Sequence, residues 1–397
     1  MKKNFLLSLI MIVALMPATF VFAGGDDTGD GEELKGALED EIYKRQNLED
    51  KVADLENQIN DLKNRPAQII EKETVVKEGG GDYTLPIHGF FNVNYADPNY
   101  PGREGTFDQE NFNIYLDYVL DENFKFFGEI GTRHGEEIDV DLTSVNGVGE
   151  VNIVRAWLDW KKSDALILKF GKFLTPYGKW NLEHSPAVYL SIWDPLLIRR
   201  DLFPKSVTGV QLYGTRPLGA ADLIYNVYLG NGKGWRAHSA DDNTNKGIGT
   251  RIALLTNFFS AGTIEFGFNG YTGRDGTLND EDENVLGYDF MINAYPIQLR
   301  GEYAKSEAKI AATDWERKAW FIQTSYNFLE KYDAYLRYDK EEDSDVALAT
   351  ENETSITSFG INYKPIPKVA FKLEYDIHDP HVIGTYEVIA ASCAVAF

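Results

Sequence analysis

The sequence predicts an all-β fold, a 16-stranded antiparallel transmembrane β-barrel preceded by an N-terminal α-helical coiled coil. Three observations support the barrel. Beyond residue 82, segments of about ten residues alternate apolar and polar side chains, which is the period of a strand with two different faces. Sixteen such segments follow one another, joined by connections of alternating length. The final segment is itself an alternating strand.

The lengths of the connections carry the most information. Strands two and three are joined by little more than "DE" and strands four and five by "KKSD", whereas the connection between them is "HGEEIDVDLTSVNGVGE". Short and long connections continue to alternate to the end of the chain. Short turns on one rim, long loops on the other and an even number of strands are the layout of a bacterial outer-membrane barrel. A soluble sandwich has no physical reason to sort its loops in this way.

The final strand, "YEVIAASCAVAF", has one face with the larger apolar side chains and one face of small side chains. The first face consists of Ile389, Ala391, Cys393, Val395 and Phe397, and the second of Ala390, Ser392, Ala394 and Ala396. We expect the first face to meet lipid and the small face to meet the lumen. A terminal aromatic residue such as Phe397 is expected to be recognised when the barrel is assembled.

The chain before the barrel divides into three predicted segments. Residues 1–23 read as a secretory signal peptide, because two lysines precede an apolar run and small residues surround the expected cleavage point. Residues 24–64 repeat apolar side chains at steps of four and three, which favours a coiled coil in the periplasm; the alternative is an amphipathic helix packed on a domain. Residues 65–82 form a linker with three consecutive glycines, and residues 83–397 form the barrel.

Composition excludes several classes of function. The net charge of −23 makes nucleic acid an improbable partner, because no basic face is large enough to release counterions. A single cysteine rules out a disulfide framework. The sequence has no phosphate-binding glycine loop, zinc motif or nucleophile elbow, so we predict neither an enzyme nor a cofactor. His378, Asp379 and His381 have metal-ligand chemistry but lie near a connection, and we predict no metal site.

Inward-facing positions carry charges of both signs. Five cations fall near mid-strand on the inward face: Arg155, Lys169, Arg251, Arg300 and Arg337. A row of fixed cations at the neck of a pore lowers the cost for an anion that leaves bulk water. The same face also carries carboxylates such as Asp159 and Glu302. The alternative is therefore that each cation forms an ion pair with a neighbouring carboxylate, and the sequence leaves the two interpretations open.

One long connection differs from the others. The segment "TPYGKWNLEHSPAVYLSIWDPLLIRRDLFPKS" is rich in Trp, Tyr, Leu and Pro, whereas the other long connections are acidic and polar. A solvated loop has no reason to carry so many apolar side chains, so we expect it to pack on the inner wall of the barrel. Arg199 and Arg200, with Lys179 and Lys205, would then border the constriction. The alternative is that the apolar patch forms a contact between subunits.

Several stretches resemble the phosphate-selective porin O and P family of outer-membrane porins. They include "FGKFLTPYG", "GVQLYGT", "YNVYLGNG", "GTRIALL", "LRGEYAKS", "AWFIQTSYNFL" and "FGINYKP", in the order expected of that family. The N-terminal coiled coil is similar to that of dicarboxylate-type porins. The resemblance implies a 16-stranded trimeric porin whose third long loop folds inside the barrel. It supports a channel and leaves the identity of the solute open.

These observations together predict a water-filled channel in the bacterial outer membrane for passive or facilitated diffusion of small hydrophilic solutes. The mid-strand cations favour anions such as phosphate or organic carboxylates. Expected partners are outer-membrane lipid, lipopolysaccharide, two further copies in a homotrimer and, through the coiled coil, the cell wall. The alternative function is a structural barrel whose coiled coil tethers or spaces the membrane from the cell wall. A barrel phospholipase is disfavoured because no outward Ser and His lie on adjacent strands.

Overall fold

The computed structural model describes residues 87–133, 150–183, 185–233, 238, 241, 245–258, 262–275, 281–310, 313–345, 350–381 and 384–397. The predicted signal peptide, coiled coil and linker lie outside these residues. No helix in the described ranges is long and apolar enough to cross a membrane.

Sixteen strands form the barrel: β1 (Ile87–Pro98), β2 (Thr106–Val119), β3 (Phe124–Arg133), β4 (Glu150–Ser163), β5 (Leu166–Leu174), β6 (Ser206–Leu218), β7 (Ala221–Gly230), β8 (Gly247–Phe258), β9 (Gly262–Asp275), β10 (Glu281–Ala294), β11 (Ile297–Ile310), β12 (Thr313–Phe328), β13 (Tyr332–Asp345), β14 (Thr350–Ile366), β15 (Val369–Pro380) and β16 (Tyr386–Ala396). A short 3-10 helix (Trp180–Leu182) and one helical turn, α1 (Leu196–Arg199), lie between β5 and β6. The predicted number of strands is confirmed.

Each strand pairs antiparallel with the next, and β16 pairs antiparallel with β1, so the sheet closes on itself. Closure leaves no strand edge with unpaired backbone groups. At the seam, the backbone N–H of Gly89 donates to the carbonyl of Phe397 at 3.0 Å, and the N–H of Phe397 donates to the carbonyl of Gly89 at 2.9 Å. The last residue of the chain therefore takes part in closing the barrel.

The predicted sorting of the connections by length is confirmed only up to β8, because the connections 311–312 after β11 and 346–349 after β13 are as short as the turns at the opposite end, where long loops were predicted. The connections that follow the even-numbered strands are short, for example 164–165 after β4 and 295–296 after β10. The connections 175–205 after β5 and 231–246 after β7 are long and lie at the opposite end of the strands. We call the two ends of the barrel the short-turn rim and the long-loop rim.

The two faces of the sheet differ in chemistry along every strand. On β13, Leu336 faces outward and is 42% exposed, whereas its neighbour Arg337 faces inward and is 1% exposed. On β16, Ile389 is 59% exposed and Ala390 is fully buried, which confirms the predicted faces of the final strand. An apolar exterior of this extent around a polar interior is the inverse of a water-soluble protein.

Two rows of outward aromatic side chains run around part of the exterior. The row near the short-turn rim consists of rings in successive contact, namely Tyr326, Phe328, Tyr332, Tyr363 and Phe371. The row nearer the long-loop rim consists of Tyr288, Tyr303, Trp320 and Tyr338. The rows are six residues apart on β13, which is about 20 Å along the strand. We call them the lower and upper aromatic rows.

Close backbone contact between β5 and its neighbours requires glycine at two facing positions. Gly171 lies opposite Gly209 in the register and has φ of +130°, a conformation that favours glycine. A Cβ at Gly171 would overlap the carbonyl oxygen of Ala156, and a Cβ at Gly209 would overlap that of Leu229.

We therefore expect Gly171→Val to destabilise the barrel by about 1–3 kcal/mol, because the new side chain forces the backbone of β4 and β5 apart. The measurement is the temperature at which the compact form of the barrel converts to the slower unfolded form on a detergent gel. Gly270→Val is the control, because a Cβ there meets side-chain atoms no closer than 3.6 Å. Equal midpoints for the two variants would contradict the role assigned to Gly171.

Candidate functional site

The segment 175–205, which we call the inward loop, lies inside the barrel. Its side chains Trp180, Leu197, Leu202 and Phe203 are at most 1% exposed and form a cluster with inward residues of the wall. The wall partners include Ala304, Ala319 and Phe321. The prediction that this loop packs on the inner wall is confirmed, and most of its large apolar side chains are buried within the same chain, whereas Leu182 and Val188 stay exposed.

Trp180 lies at the centre of this packing. Its ring stacks on Tyr189 with 5.1 Å between centroids and meets Phe321 edge-on at 5.5 Å. Its Nε1–H donates to Oδ1 of Asp194 at 2.8 Å. The guanidinium carbons of Arg300 and Arg337 lie 4.7 Å and 5.6 Å from the ring centroid. An indole with a satisfied N–H and two cations near its ring is held by packing and by cation–π attraction together.

Side chains of the wall accept hydrogen bonds from backbone N–H groups of the loop. Oε1 of Glu302 accepts from the N–H groups of Lys179 and Trp180 at 2.9 Å and 2.7 Å. Three further wall residues, Asn269, Asp339 and Glu374, accept from the N–H groups of Gly178, Leu196 and Ile192. Buried N–H groups left without partners are costly, so these contacts fix the backbone of the loop against strands β9 to β15.

Three of the five predicted mid-strand cations lie beneath or beside this loop and are paired. Arg251 is buried and bonds to Glu265 at 2.7 Å and to both carboxylate oxygens of Asp289. Arg300 pairs with Glu183 of the loop at 2.7 Å and lies 3.7 Å from Glu302. These pairs match the ion-pair alternative left open by the sequence.

Arg337 is the third of these cations and forms the most contacts with the loop. Its Nε donates to Asp339 at 2.7 Å, while Nη1 donates to Oγ of Ser191 at 2.6 Å and to the carbonyl of Trp193 at 2.9 Å. Lys372 on β15 likewise donates to the carbonyl of Ser191 at 3.0 Å. Cations of this wall therefore attach the loop rather than forming a ladder of unpaired charges.

The other two predicted cations lie on the opposite wall. Nε of Arg155 donates to Glu129 at 2.5 Å, and its guanidinium lies 4.6 Å from the ring centroid of Phe127. Among the described residues, no hydrogen bond is formed by Nη1 or Nη2 of Arg155. Nζ of Lys169 lies 3.8 Å from Asp159 and 3.6 Å from the ring centroid of Trp157.

The predicted loop cations have different surroundings. Nε of Arg200 lies 2.7 Å from Glu341, so Arg200 is paired with the wall. Arg199, the last residue of α1, has no carboxylate within ion-pair distance among the described residues; burial and the nearby Arg337 lower its pKa, and the carboxylates of Asp339, Asp194 and Asp376 act in the opposite direction. Lys179 pairs with Glu265 at 2.5 Å, and Lys205 pairs with Asp201 at 3.1 Å. Arg199 is thus the least neutralised of the predicted loop cations.

Sequence reasoning missed a set of inward amides on β1 and β2. Nδ2 of Asn92 and of Asn94 donate to the carboxylate of Glu110 at 3.1 Å and 2.6 Å, and Asn111 donates to Asn92. Asn113 donates to Glu129 at 2.6 Å. The alternating patterns "FNVNY" and "NFNIY" could have indicated these residues, because the asparagines lie at the inward-facing positions of their strands.

A cavity of about 250 Å³ separates the inward loop from the wall formed by β2 to β6. Its lining combines loop residues with wall residues: Asn111, Asn113, Gly131, Thr132, Asn152, Val154, Lys172, Leu174, Trp180, Asn181, Tyr189, Asp194, Ile198, Lys205 and Ser206. Seven of these fifteen residues are polar and uncharged, and the charged ones are two lysines and one aspartate. The cavity beside the loop is therefore lined mainly by neutral groups, with a small excess of positive charge.

The surroundings of two tyrosines in the inward loop shift their pKa values. Burial raises the pKa of Tyr177 well above its usual range, and the nearby carboxylate of Glu302 adds to the effect. Burial also raises the pKa of Tyr189, with Asp194 contributing, while the positive charges of Arg300 and Arg155 act in the opposite direction.

No family model matches the chain. An uncharacterized protein of Aquifex aeolicus is 24% identical over 346 residues, which cover 73% of this chain and 75% of that protein. Three solved structures share the fold over 78% of this chain. They are an anion-selective porin from Comamonas acidovorans (11% identity, TM-score 0.58, 98% of that chain), OmpT of Vibrio cholerae in trimer form (11%, 0.56, 98%) and the outer-membrane channel DcaP of Acinetobacter baumannii (12%, 0.53, 96%). The barrel therefore has the fold of outer-membrane porins.

We expect Trp180→Ala to release the inward loop while the barrel stays closed. Loss of a buried tryptophan costs about 3–5 kcal/mol, whereas the ladder between the sixteen strands is untouched. The measurement is cleavage by a non-specific protease in detergent, and cuts within residues 175–205 should become at least about a hundredfold faster.

Trp320→Ala is the matched control, because Trp320 faces outward on β12 and makes no contact with the loop. Equal cleavage rates in the two variants would show that Trp180 does not hold the loop.

Proposed function

We propose that the protein is an outer-membrane porin, a water-filled channel for passive or facilitated diffusion of small hydrophilic solutes, and that it is not an enzyme. The observation that carries the proposal is the combination of a closed barrel, an apolar exterior and a polar interior narrowed by an attached loop. A polar interior beneath an apolar exterior is typical of porin-type barrels. The fold shared with outer-membrane porins supports the same conclusion.

An outer-membrane location follows from the same features. The outward aromatic rows on an apolar exterior are of the kind that such barrels carry near the membrane interfaces. The predicted signal peptide, residues 1–23, would direct export, and residues 24–64 would then extend into the periplasm as a coiled coil. The long-loop rim would face the exterior of the cell.

Ion conduction tests this proposal directly. Purified protein added to a planar lipid bilayer should produce discrete current steps that are stable in time, because the loop is fixed at many points and does not fluctuate. Arg337→Met should give noisier currents, because the loop loses two hydrogen bonds and the cation beside Trp180. Absence of any current would contradict the proposal if the same protein migrates as the compact folded form on a detergent gel.

We propose that the passing solutes are small anions, such as phosphate or organic carboxylates, in line with the resemblance to the phosphate-selective porin O and P family. Arg251, Arg300 and Arg337 are held against carboxylates beside the inward loop, so the preference would rest on Arg155, which pairs with Glu129 through Nε alone, and on Arg199. Arg155 offers an unbonded Nη edge, and Arg199 has no described carboxylate partner. A charge about 4 Å from a solute at an effective dielectric constant near 20 interacts by roughly 4 kcal/mol, which exceeds the screened effect of distant acidic loops.

We expect the double variant Arg155→Gln/Arg199→Gln to shift the reversal potential in a salt gradient toward cation preference by several millivolts or more. The control is Arg216→Gln, which removes a cation from the outward side of β6 near the short-turn rim. Unchanged reversal potentials in the double variant would show that other residues set the selectivity. Cation preference in the unsubstituted protein would contradict the anion proposal.

We also propose that the protein assembles as a homotrimer. The resemblance to trimeric porins supports this, and OmpT of Vibrio cholerae has been solved in a trimer form. Most of the large apolar residues of the inward loop are buried within the chain, so the contacting surface would lie on the barrel exterior. The mass of the detergent-solubilised protein, corrected for bound detergent, distinguishes a trimer from a monomer or dimer.

A structural role would accompany the channel if the coiled coil contacts the cell wall. The heptad pattern of residues 24–64 and the glycine-containing linker of residues 65–82 favour this second function. Co-sedimentation of the intact protein with purified peptidoglycan, compared with a chain that lacks residues 24–80, tests it.

A further inference from the structure

The wall formed by β2, β3 and β4 carries a row of inward aromatic rings beside Arg155 and Lys169. The row consists of Tyr115 on β2, Phe127 on β3 and Trp157 on β4. The ring centroids of Tyr115 and Phe127 are 5.6 Å apart, and those of Phe127 and Trp157 are 5.2 Å apart at an interplanar angle of 11°. Phe127 and Trp157 also lie directly opposite each other in the register of the two strands. The rings therefore support one another along the inner face of the sheet.

Arg155 is held by a carboxylate and by the ring of Phe127 together. Its Nε donates to Oε2 of Glu129 at 2.5 Å, and its guanidinium carbon lies 4.6 Å from the ring centroid of Phe127. The other oxygen of Glu129, Oε1, accepts from Nδ2 of Asn113 at 2.6 Å. Arg155 therefore pairs with Glu129 through one nitrogen only, and its Nη groups donate to no acceptor within the described part of the chain.

Lys169 lies on a ring in a similar way. Its Nζ is 3.6 Å from the ring centroid of Trp157 and 3.8 Å from Oδ2 of Asp159. The second distance is too long for a hydrogen bond. Oδ1 of Asp159 is buried and has no hydrogen-bond partner among the residues that the structure describes. The ammonium group thus lies over the indole ring although an acceptor oxygen of the neighbouring carboxylate is still available.

Each of these two ion pairs is neutral as a whole, so the direction of its charges decides its effect. The side chain of Arg155 is 20% exposed, whereas that of Glu129 is fully buried. The side chain of Lys169 is 15% exposed and that of Asp159 is 9% exposed. In both pairs the cation is the more exposed partner. Because the Coulomb interaction weakens with distance, an anion in the lumen interacts more strongly with the nearer, positive end of each pair.

We propose that Phe127 and Trp157 are specificity-determining residues, which favour small anions because their rings hold Arg155 and Lys169 with the positive ends of the ion pairs toward the lumen. The inference rests on the proposed channel function and adds Lys169 and two uncharged side chains to the groups that set its preference. The negative face of an aromatic ring attracts a cation without neutralising its charge. A further carboxylate at the same place would cancel that charge.

The rings act by positioning the cations. Without the attraction of Phe127, the Nη groups of Arg155 are free to turn toward Glu129, since two parallel N–H···O bonds are the favoured geometry of an arginine–carboxylate pair. Without the attraction of Trp157, the ammonium group of Lys169 is free to approach Asp159. Either movement weakens the attraction for an anion, although the net charge of the lumen does not change.

The experiment replaces the two rings by fluorinated analogues of closely similar shape. Pentafluorophenylalanine in place of Phe127 and tetrafluorotryptophan in place of Trp157 remove the negative face of each ring while they fill nearly the same space. The measured quantity is the permeability ratio of chloride to potassium, obtained from reversal potentials in a potassium chloride gradient across a planar bilayer. The matched control carries the same analogues in place of Phe126 and Trp160, which lie on the outward faces of the same two strands.

We expect the permeability ratio to fall about two- to fivefold when both inward rings are fluorinated, because the cation–π attraction is lost, and to stay unchanged in the control. Phe127→Leu should lower the ratio, whereas Phe127→Tyr should preserve it, because tyrosine keeps a ring with a negative face. An equal ratio in the inward and control proteins, or a rise after inward fluorination, would overturn the proposal. So would an equal ratio in Phe127→Leu and Phe127→Tyr.

Current steps from the same recordings separate this inference from the proposed function. The fluorinated protein should give steps of unchanged size, because the shape of the lumen is preserved. Normal steps with an unchanged permeability ratio would refute the role of the rings and leave the channel standing. A fall in the ratio in a protein that prefers cations throughout would support the role of the rings and contradict the proposed anion preference.

Discussion

The attachment of the inward loop to one wall of the barrel is the constraint on which the interior depends. A barrel of sixteen strands encloses more space than its own side chains fill. Trp180 and its neighbours fill one side of that space, and wall carboxylates bind the backbone N–H groups of the loop. Polar groups of this wall that would otherwise face water are thereby used for attachment. A cavity of about 250 Å³ remains open along the opposite wall, and its lining includes Asn111, Asn113 and Asn152.

Because one wall holds the loop, the barrel carries many inward charges but has no strong net charge at its narrowest point. Arg251, Arg300 and Arg337 each lie against carboxylates, and removing one partner would leave a buried charge uncompensated. Their role is therefore to hold the loop. Arg155, on the opposite wall, differs because its Nη edge is unbonded within the described chain.

The sequence predicted the barrel well, because strand number and faces are encoded locally; the lengths of the connections after β11 and β13 were predicted wrongly, because the strands there extend further than their apolar alternation does. Alternation places Arg337 and Glu302 inward, and the unusual composition of residues 175–205 indicates a loop that packs inside. The partners could not be predicted in the same way. Ser191 and Arg337 are 146 residues apart, and only the closed barrel brings them together. The asparagines of β1 and β2 were not predicted as site residues, because the prediction rested on charged side chains and did not consider neutral amides.

The path of the solute is the central claim, and labelling of cysteines during conduction tests it most directly. In a Cys393→Ser background, a thiol reagent that adds a bulky group should reduce the current through Asn113→Cys and through Tyr189→Cys, which lie on either side of the cavity. The same reagent should leave the current of Leu336→Cys unchanged, because that position faces outward. Block at Leu336→Cys without block at Asn113→Cys or Tyr189→Cys would contradict the account.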